Sequence, residues 1–293
     1  MLPEFEWPWR VAAAMLAAGL VALFVVRALR KDRREYARFR RFRSTARRQG
    51  MMRRWLVESL VLFGGSALLV LLIVHPVVAP LLAATQAVPA IAWLRDALTG
   101  GLGVGLAVGA VLGLIALTVV GARSARREGG VIMLGDIAAL LPRNRPELGW
   151  GAALSVNAGI VEEALFRLAL PALLVIVTGE PISAFLLAAL VFGALHAYQG
   201  WLGVVATGVV GLLFTALYVA SGSIVLAMLV HALFDVRTLV VIPMAVYRVH
   251  EVPGSVRFPK PLAITAPSEA AADDAAPTAV EHQTDGATTD SVP

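Results

Sequence analysis

Cysteine is absent from the 293 residues. That excludes disulfide staples and thiolate metal sites, and it removes redox usage as a guide to compartment. Charge is scarce too: Asp, Glu, Lys and Arg make up 15% of the chain, where a soluble domain carries about 25%. Lysine occurs only at Lys31 and Lys260, and no HExxH is present, which removes the commonest helical zinc-protease signature. What is abundant is apolar: 58% of residues are hydrophobic and the mean hydropathy is +0.78. The chain therefore reads as an all-α protein, a polytopic transmembrane helical bundle. Nearly all its mass is spanning helix, so any chemistry belongs to the helices and their loops.

A span needs about 20 mostly apolar residues. Such runs lie near Trp9–Leu29, Trp55–Val74, Leu102–Val120, Trp150–Leu170, Ile182–Tyr198, Leu202–Ala220 and Ile224–Val246. Val77–Leu94, broken by Pro80 and Pro89, is an eighth span or a re-entrant segment, so about 7–8 spans are expected. Pro171–Thr178 is too short to span alone; it extends the fourth helix past a proline kink or starts a hairpin. The first run has acids before it and a basic block after it, the reverse of a secretory signal, and reads as a retained helix. Three regions follow: 1–148, N-terminal membrane helices with a basic cytoplasmic loop; 149–252, a C-terminal helical core; and 253–293, a tail rich in Ala, Pro, Thr, Ser, Asp and Glu with little to bury, expected to be disordered.

The net charge of +5 is not a nucleic-acid signal. The basic residues crowd beside predicted spans, where positive-inside topology and anionic headgroups account for them. The densest stretch, Arg27–Arg54, reads as a topology-fixing loop, or as an amphipathic helix on anionic lipid with Tyr36, Phe39 and Phe42 inserted. Glycine at 101, 105, 109 and 113 puts small residues on one helix face; this predicts close helix packing within the chain, with a homo-oligomer seam as the second reading. Arginine far outnumbers lysine, and Ala, Val and Leu dominate. Together these suggest a GC-rich bacterial genome and a multi-pass protein of the cell membrane.

Three polar constellations interrupt the apolar runs: VEEALFR, with Glu162, Glu163 and Arg167; FGALH, with Phe192 and His196; and HALFD, with His231 and Asp235. Ionisable groups inside spans are costly, and are by default functional or mutually paired. Glu163 and Arg167, four apart with the acid first, suit an intrahelical ion pair. Glu162 points about 100° away around the helix and stays free to act as a general base or acid. His231 and Asp235 share a helix face. Neutral imidazoles with carboxylates also make a plausible zinc set, so Glu162, His196, His231 and Asp235 are the ligands if a divalent metal is bound. Asn157, Glu58 and Arg237 rank lower, while His75 and His250 look interfacial.

In order, spacing and placement, the three constellations resemble the CPBP family of intramembrane proteases, the CAAX-prenyl-protease-2-like and bacteriocin-processing enzymes also called Abi. That family carries EExxxR, FxxxH and HxxxN or HxxxD on successive membrane helices. The resemblance covers roughly Trp150–Val246 and implies a glutamate-dependent peptidase acting on a peptide or membrane-protein substrate at the bilayer. It implies that Glu162 and His196 activate water, that His231 and Asp235 hold the oxyanion, and that Glu163, Arg167 and Phe192 support them. No cofactor is favoured. Aspartate where many members carry asparagine matters, because aspartate donates a hydrogen bond only when protonated. The alternatives are a non-catalytic scaffold or immunity protein retaining the site, and a proton-coupled transporter, although the internal repeats common in transporters are not seen.

Overall fold

The computed structural model describes residues 3–100 and 136–254, with residues 105, 113, 115, 116, 118–120 and 123 between them. The chain is an α-helical membrane bundle, without β-strand among the described residues. Among the described residues, four helices are long and apolar enough to cross a membrane: α1 (Trp7–Phe39), α2 (Thr45–Gln86), and two nearer the C-terminus, Ala197–Ser221 and Ile224–Tyr247. Between them lie α3 (Pro89–Thr99), α4 (145–178) and α5 (Pro181–Leu195). Ala197–Ser221 is then α6, opening with a 3-10 turn, and Ile224–Tyr247 is α7. Leu68, Leu69, Leu72 and Ile73 of α2 are largely exposed. A contiguous apolar face of that kind suits lipid and not water.

Local chemistry sets the helix ends near the site. Asn144 caps α4 by accepting from the Glu147 amide at 3.1 Å, with Pro146 in the first turn. Gly179, at φ 73°, closes α4; Glu180 then caps α5 by accepting from the Ser183 amide at 2.7 Å. Gly222, at φ 70°, closes α6, and Ser223 caps α7. Each of α1, α2, α4 and α7 contains one π-helical turn: Ala28–Asp32, Leu60–Gly64, Ala164–Ala169 and Arg237–Val241.

Several expectations change here. Val77–Leu94 is divided: α2 runs straight through Pro76 and Pro80 to Gln86, and Pro89 opens the separate helix α3. Prolines are tolerated inside membrane helices when neighbouring groups satisfy the freed carbonyls. Pro171–Thr178 does extend the fourth helix, through the π turn Ala164–Ala169. The Arg27–Arg54 stretch is mostly helical and continuous with both flanking spans. Tyr36 and Phe39 are buried in protein, Phe39 against Met51, Met52 and Trp55. Most of Leu102–Val120, with Gly101 and Gly109 of its glycine repeat, lies outside the described residues, as does the tail from residue 255.

The main apolar core joins α1, α2, the C-terminal half of α4 and α5, with Phe166, Leu173, Phe185 and Phe192 among its buried side chains. A separate polar clamp fixes the start of α4. Arg48 of α2 and Glu147 of α4 are fully buried and pair at 3.0 Å. Arg48 also donates to the carbonyls of Ala139 and Leu141, and the Asn144 amide donates to Thr45 at 2.7 Å. Two buried charges survive in such a place because almost every polar atom has a partner.

Candidate functional site

Close backbone approaches set the site. Helix α4 packs along α7, and a Cβ on Gly159 would stand 2.8 Å from Ala232 and from the Met228 carbonyl. Helix α5 crosses α6 where a Cβ on Gly193 would stand 3.0 Å from the Gly208 Cα. At Gly211 of α6 a Cβ would sit 2.7 Å from the Phe192 ring. Small residues at these crossings let four helices bring polar side chains to one place.

Glu163 is the hub. Its Oε2 lies 3.2 Å from Arg167 Nε, and both side chains are fully buried. Its Oε1 lies 2.7 Å from His231 Nδ1. The intrahelical pair expected from spacing is therefore present, and a long-range bond to α7 is added to it. Arg167 further donates to the Gly211 carbonyl at 2.9 Å, and its guanidinium stands over the Phe192 and Phe214 rings at 4.8 and 5.8 Å. Aromatic faces and a carbonyl compensate the cation where water cannot.

His231 is buried and stacked on Phe214, with centroids 4.7 Å apart. A carboxylate only accepts, so the bond at Nδ1 is a donation from His231 to Glu163. That leaves Nε2 facing the other two carboxylates: Glu162 Oε2 at 4.0 Å and Asp235 Oδ2 at 3.8 Å. Both acids are partly accessible, at 16% and 30% of their side-chain surface. Separations near 4 Å are too long for direct hydrogen bonds and leave room for a bridging group such as water.

His196 ends α5. Its Nδ1 lies 2.9 Å from the Phe192 carbonyl, so the proton on that nitrogen is donated to the backbone and Nε2 is left open. Phe192 is the shared wall, with centroids 5.0 Å from His196 and 6.2 Å from His231. Tyr198 touches His196 from the other side, at 5.9 Å. The three constellations thus meet around Phe192, the rings of His196 and His231 on one phenyl and the acids Glu162 and Asp235 on His231.

The lower-ranked polar residues are engaged elsewhere. Asn157 donates to Ser59 of α2 at 2.9 Å, Arg237 donates to Thr118 at 2.6 Å, and Glu58 pairs with Arg27, Lys31 and Arg54. Sequence reasoning missed Phe214 and Gly211, which sit in an apolar run with no polar signal. It also missed the Glu163–His231 bond, which joins residues 68 apart in the chain. A resident zinc would need its ligands within about 2.0–2.2 Å of one point. Among the described residues no three His, Asp or Glu side chains are grouped so as to hold an ion.

Residues 144–237 match the family model of Rce1-like, type II CAAX prenyl endopeptidases. That match agrees with the CPBP, CAAX-protease-like resemblance carried by the three constellations. The match spans Glu162 through Asp235, all three constellations. No curated protein and no solved structure matches the chain. The match supports a CAAX-protease-type function in the membrane.

Proposed function

We propose that the protein is an intramembrane endopeptidase of the cell membrane that uses a glutamate-activated water and no resident metal. The observation that carries this reading is the orientation of His231: Nδ1 is tied to Glu163 at 2.7 Å while Nε2 opens toward Glu162 and Asp235. A histidine held on one nitrogen by a buried, arginine-paired carboxylate presents the other nitrogen in a fixed direction.

Glu162 is the general base. Water donates one proton to its carboxylate and a hydrogen bond to the open Nε2 of His196. The water oxygen then attacks the carbonyl carbon of a peptide segment reaching these residues. His231, carrying both ring protons beside the Glu163 carboxylate, donates from Nε2 to the developing oxyanion, and a protonated Asp235 donates a second bond. Collapse breaks the C–N bond, and the departing amine takes back the proton held by Glu162. Phe192 and Arg167 keep the two histidines in place. Phe192 and Phe214 set apolar rings against the two histidines, which strengthens each of these polar contacts.

The test is turnover of a membrane-reconstituted peptide library by wild type, Glu162→Gln and His196→Ala, with and without a chelator such as 1,10-phenanthroline. The expectation is cleavage by wild type with and without chelator, a loss of about 10²–10⁴-fold on removing the base, and a large loss in His196→Ala. Chelator inhibition reversed by zinc would refute the metal-free mechanism. Wild-type turnover in Glu162→Gln would refute the site.

A further inference from the structure

We propose that the groove where α1 meets α2 is a binding site for a phosphate group, such as that of an anionic lipid headgroup. Arg30, Lys31, Arg34, Glu35, Arg38 and Arg54 line a cavity of about 310 Å³. Five cations face a single carboxylate. Glu35 is already engaged by Lys31 at 3.4 Å, by Arg54 at 3.2 Å and by the Trp55 indole at 2.9 Å. Lys31 and Arg54 also pair with Glu58, which holds that wall of the groove in position.

Arg30, Arg34 and Arg38 are different. They are exposed and make no ion pair among the described residues. Spaced four apart, they fall along one side of α1, where like charges repel one another. An anion bridging them relieves that repulsion. Guanidinium groups match phosphate oxygens in fork geometry, and several together recognise phosphate better than any smaller anion.

The level of the groove along α1 points to the source. Leu23, Val26 and Leu29 are exposed apolar residues on the preceding turns, and Arg30 follows immediately. The groove therefore opens where the apolar belt of the helix ends, the depth of phospholipid headgroups. Basic pockets at that depth are suited to anionic lipid. The site is independent of the peptidase reading.

The experiment uses the full chain in neutral detergent. Thermal stabilisation is followed while titrating dihexanoyl phosphatidylglycerol, dihexanoyl phosphatidylcholine or inorganic phosphate. The phosphatidylglycerol is expected to stabilise at concentrations where the zwitterionic lipid does not. Arg34→Gln with Arg38→Gln should weaken that response about 30-fold, since each basic residue near an anionic surface contributes on the order of fivefold. Both residues are exposed and unpaired, so the fold should tolerate the change. Arg33→Gln with Arg41→Gln removes the same charge from exposed arginines that do not line the groove, and should change little. Inorganic phosphate that stabilises equally well and competes with the lipid identifies free phosphate as the ligand; failure to compete identifies the lipid. Equal weakening in the two double variants, or no anion-dependent stabilisation at all, overturns the proposal.

Discussion

Replacing Glu163 by glutamine keeps its shape and removes its charge. Two partners then lose their counter-ion at once. Arg167 is left buried with only the Gly211 carbonyl at 2.9 Å and the faces of Phe192 and Phe214. His231 exchanges a charge-assisted bond for a neutral one. Breaking a buried ion pair on one side costs about 3–5 kcal/mol; the cation–π contacts of Arg167 are present before and after and do not change that. A loss of this size should lower the melting temperature in detergent by on the order of 10 °C. Glu162→Gln is the control. Its side chain is partly accessible and accepts no hydrogen bond among the described residues, so its melting should stay within about 2 °C of wild type. The double variant Glu163→Gln with Arg167→Met separates stability from chemistry. Removing both charges should recover most of the melting temperature, because well-packed apolar replacements of buried pairs are often neutral. Activity should stay low, because His231 still lacks its anionic partner. The reasoning fails if Glu163→Gln melts with wild type, or if the double variant recovers full turnover.

Three further outcomes are expected. Asp235→Asn supplies an amide donor of nearly the same size, so turnover should stay within about tenfold of wild type if Asp235 acts as an oxyanion donor; a steep loss accompanied by chelator inhibition would indicate a ligand instead. Gly159→Ala should destabilise by about 1–3 kcal/mol as overpacking, because the atoms 2.8 Å from the new Cβ include backbone of α7 that cannot swing aside; an unchanged melting temperature would show that the α4–α7 crossing is looser than described. Arg48→Leu strands Glu147 in a fully buried site and should cost about 3–5 kcal/mol, read as a lower yield of folded protein, while Glu147→Gln with Arg48→Leu should recover part of it.

The residues that form the candidate site were legible because each is an ionisable or aromatic group at helical spacing inside an oily run, where its cost demands a partner. Glu163 with Arg167 needed only the four-residue spacing. The helical, membrane-spanning class followed from composition. What could not be read was tertiary. Nothing local distinguishes Glu163 from Glu162 as the partner of His231, because that choice depends on the rotation of α4 against α7. Glycine is common in apolar helices, so the repeat from Gly101 attracted notice while Gly159, Gly193 and Gly211, which set the crossings, did not. Pro80 and Pro89 looked alike as breaks because a soluble helix seldom tolerates proline, yet α2 runs through Pro80 while Pro89 opens α3. The basic stretch looked like a lipid-surface element because its aromatics are periodic, and periodicity alone does not say whether lipid or Met51, Met52 and Trp55 covers them.

The π turn at Ala164–Ala169 begins one residue after Glu163 and contains Arg167. A wide turn holds one residue more than an α-turn, so a deletion within it could heal into regular helix with its backbone hydrogen bonds intact. Every side chain beyond would then rotate by about 100° relative to Glu163. Leu170, Leu173 and Ile176, now buried against α1, α2 and α5, would face new neighbours. The site and the apolar anchor of the same helix are therefore phased to one another by a single extra residue. Substitutions can retune either half, but a change of length between them cannot be absorbed, and chains descended from this one should vary here in side chain and not in residue count.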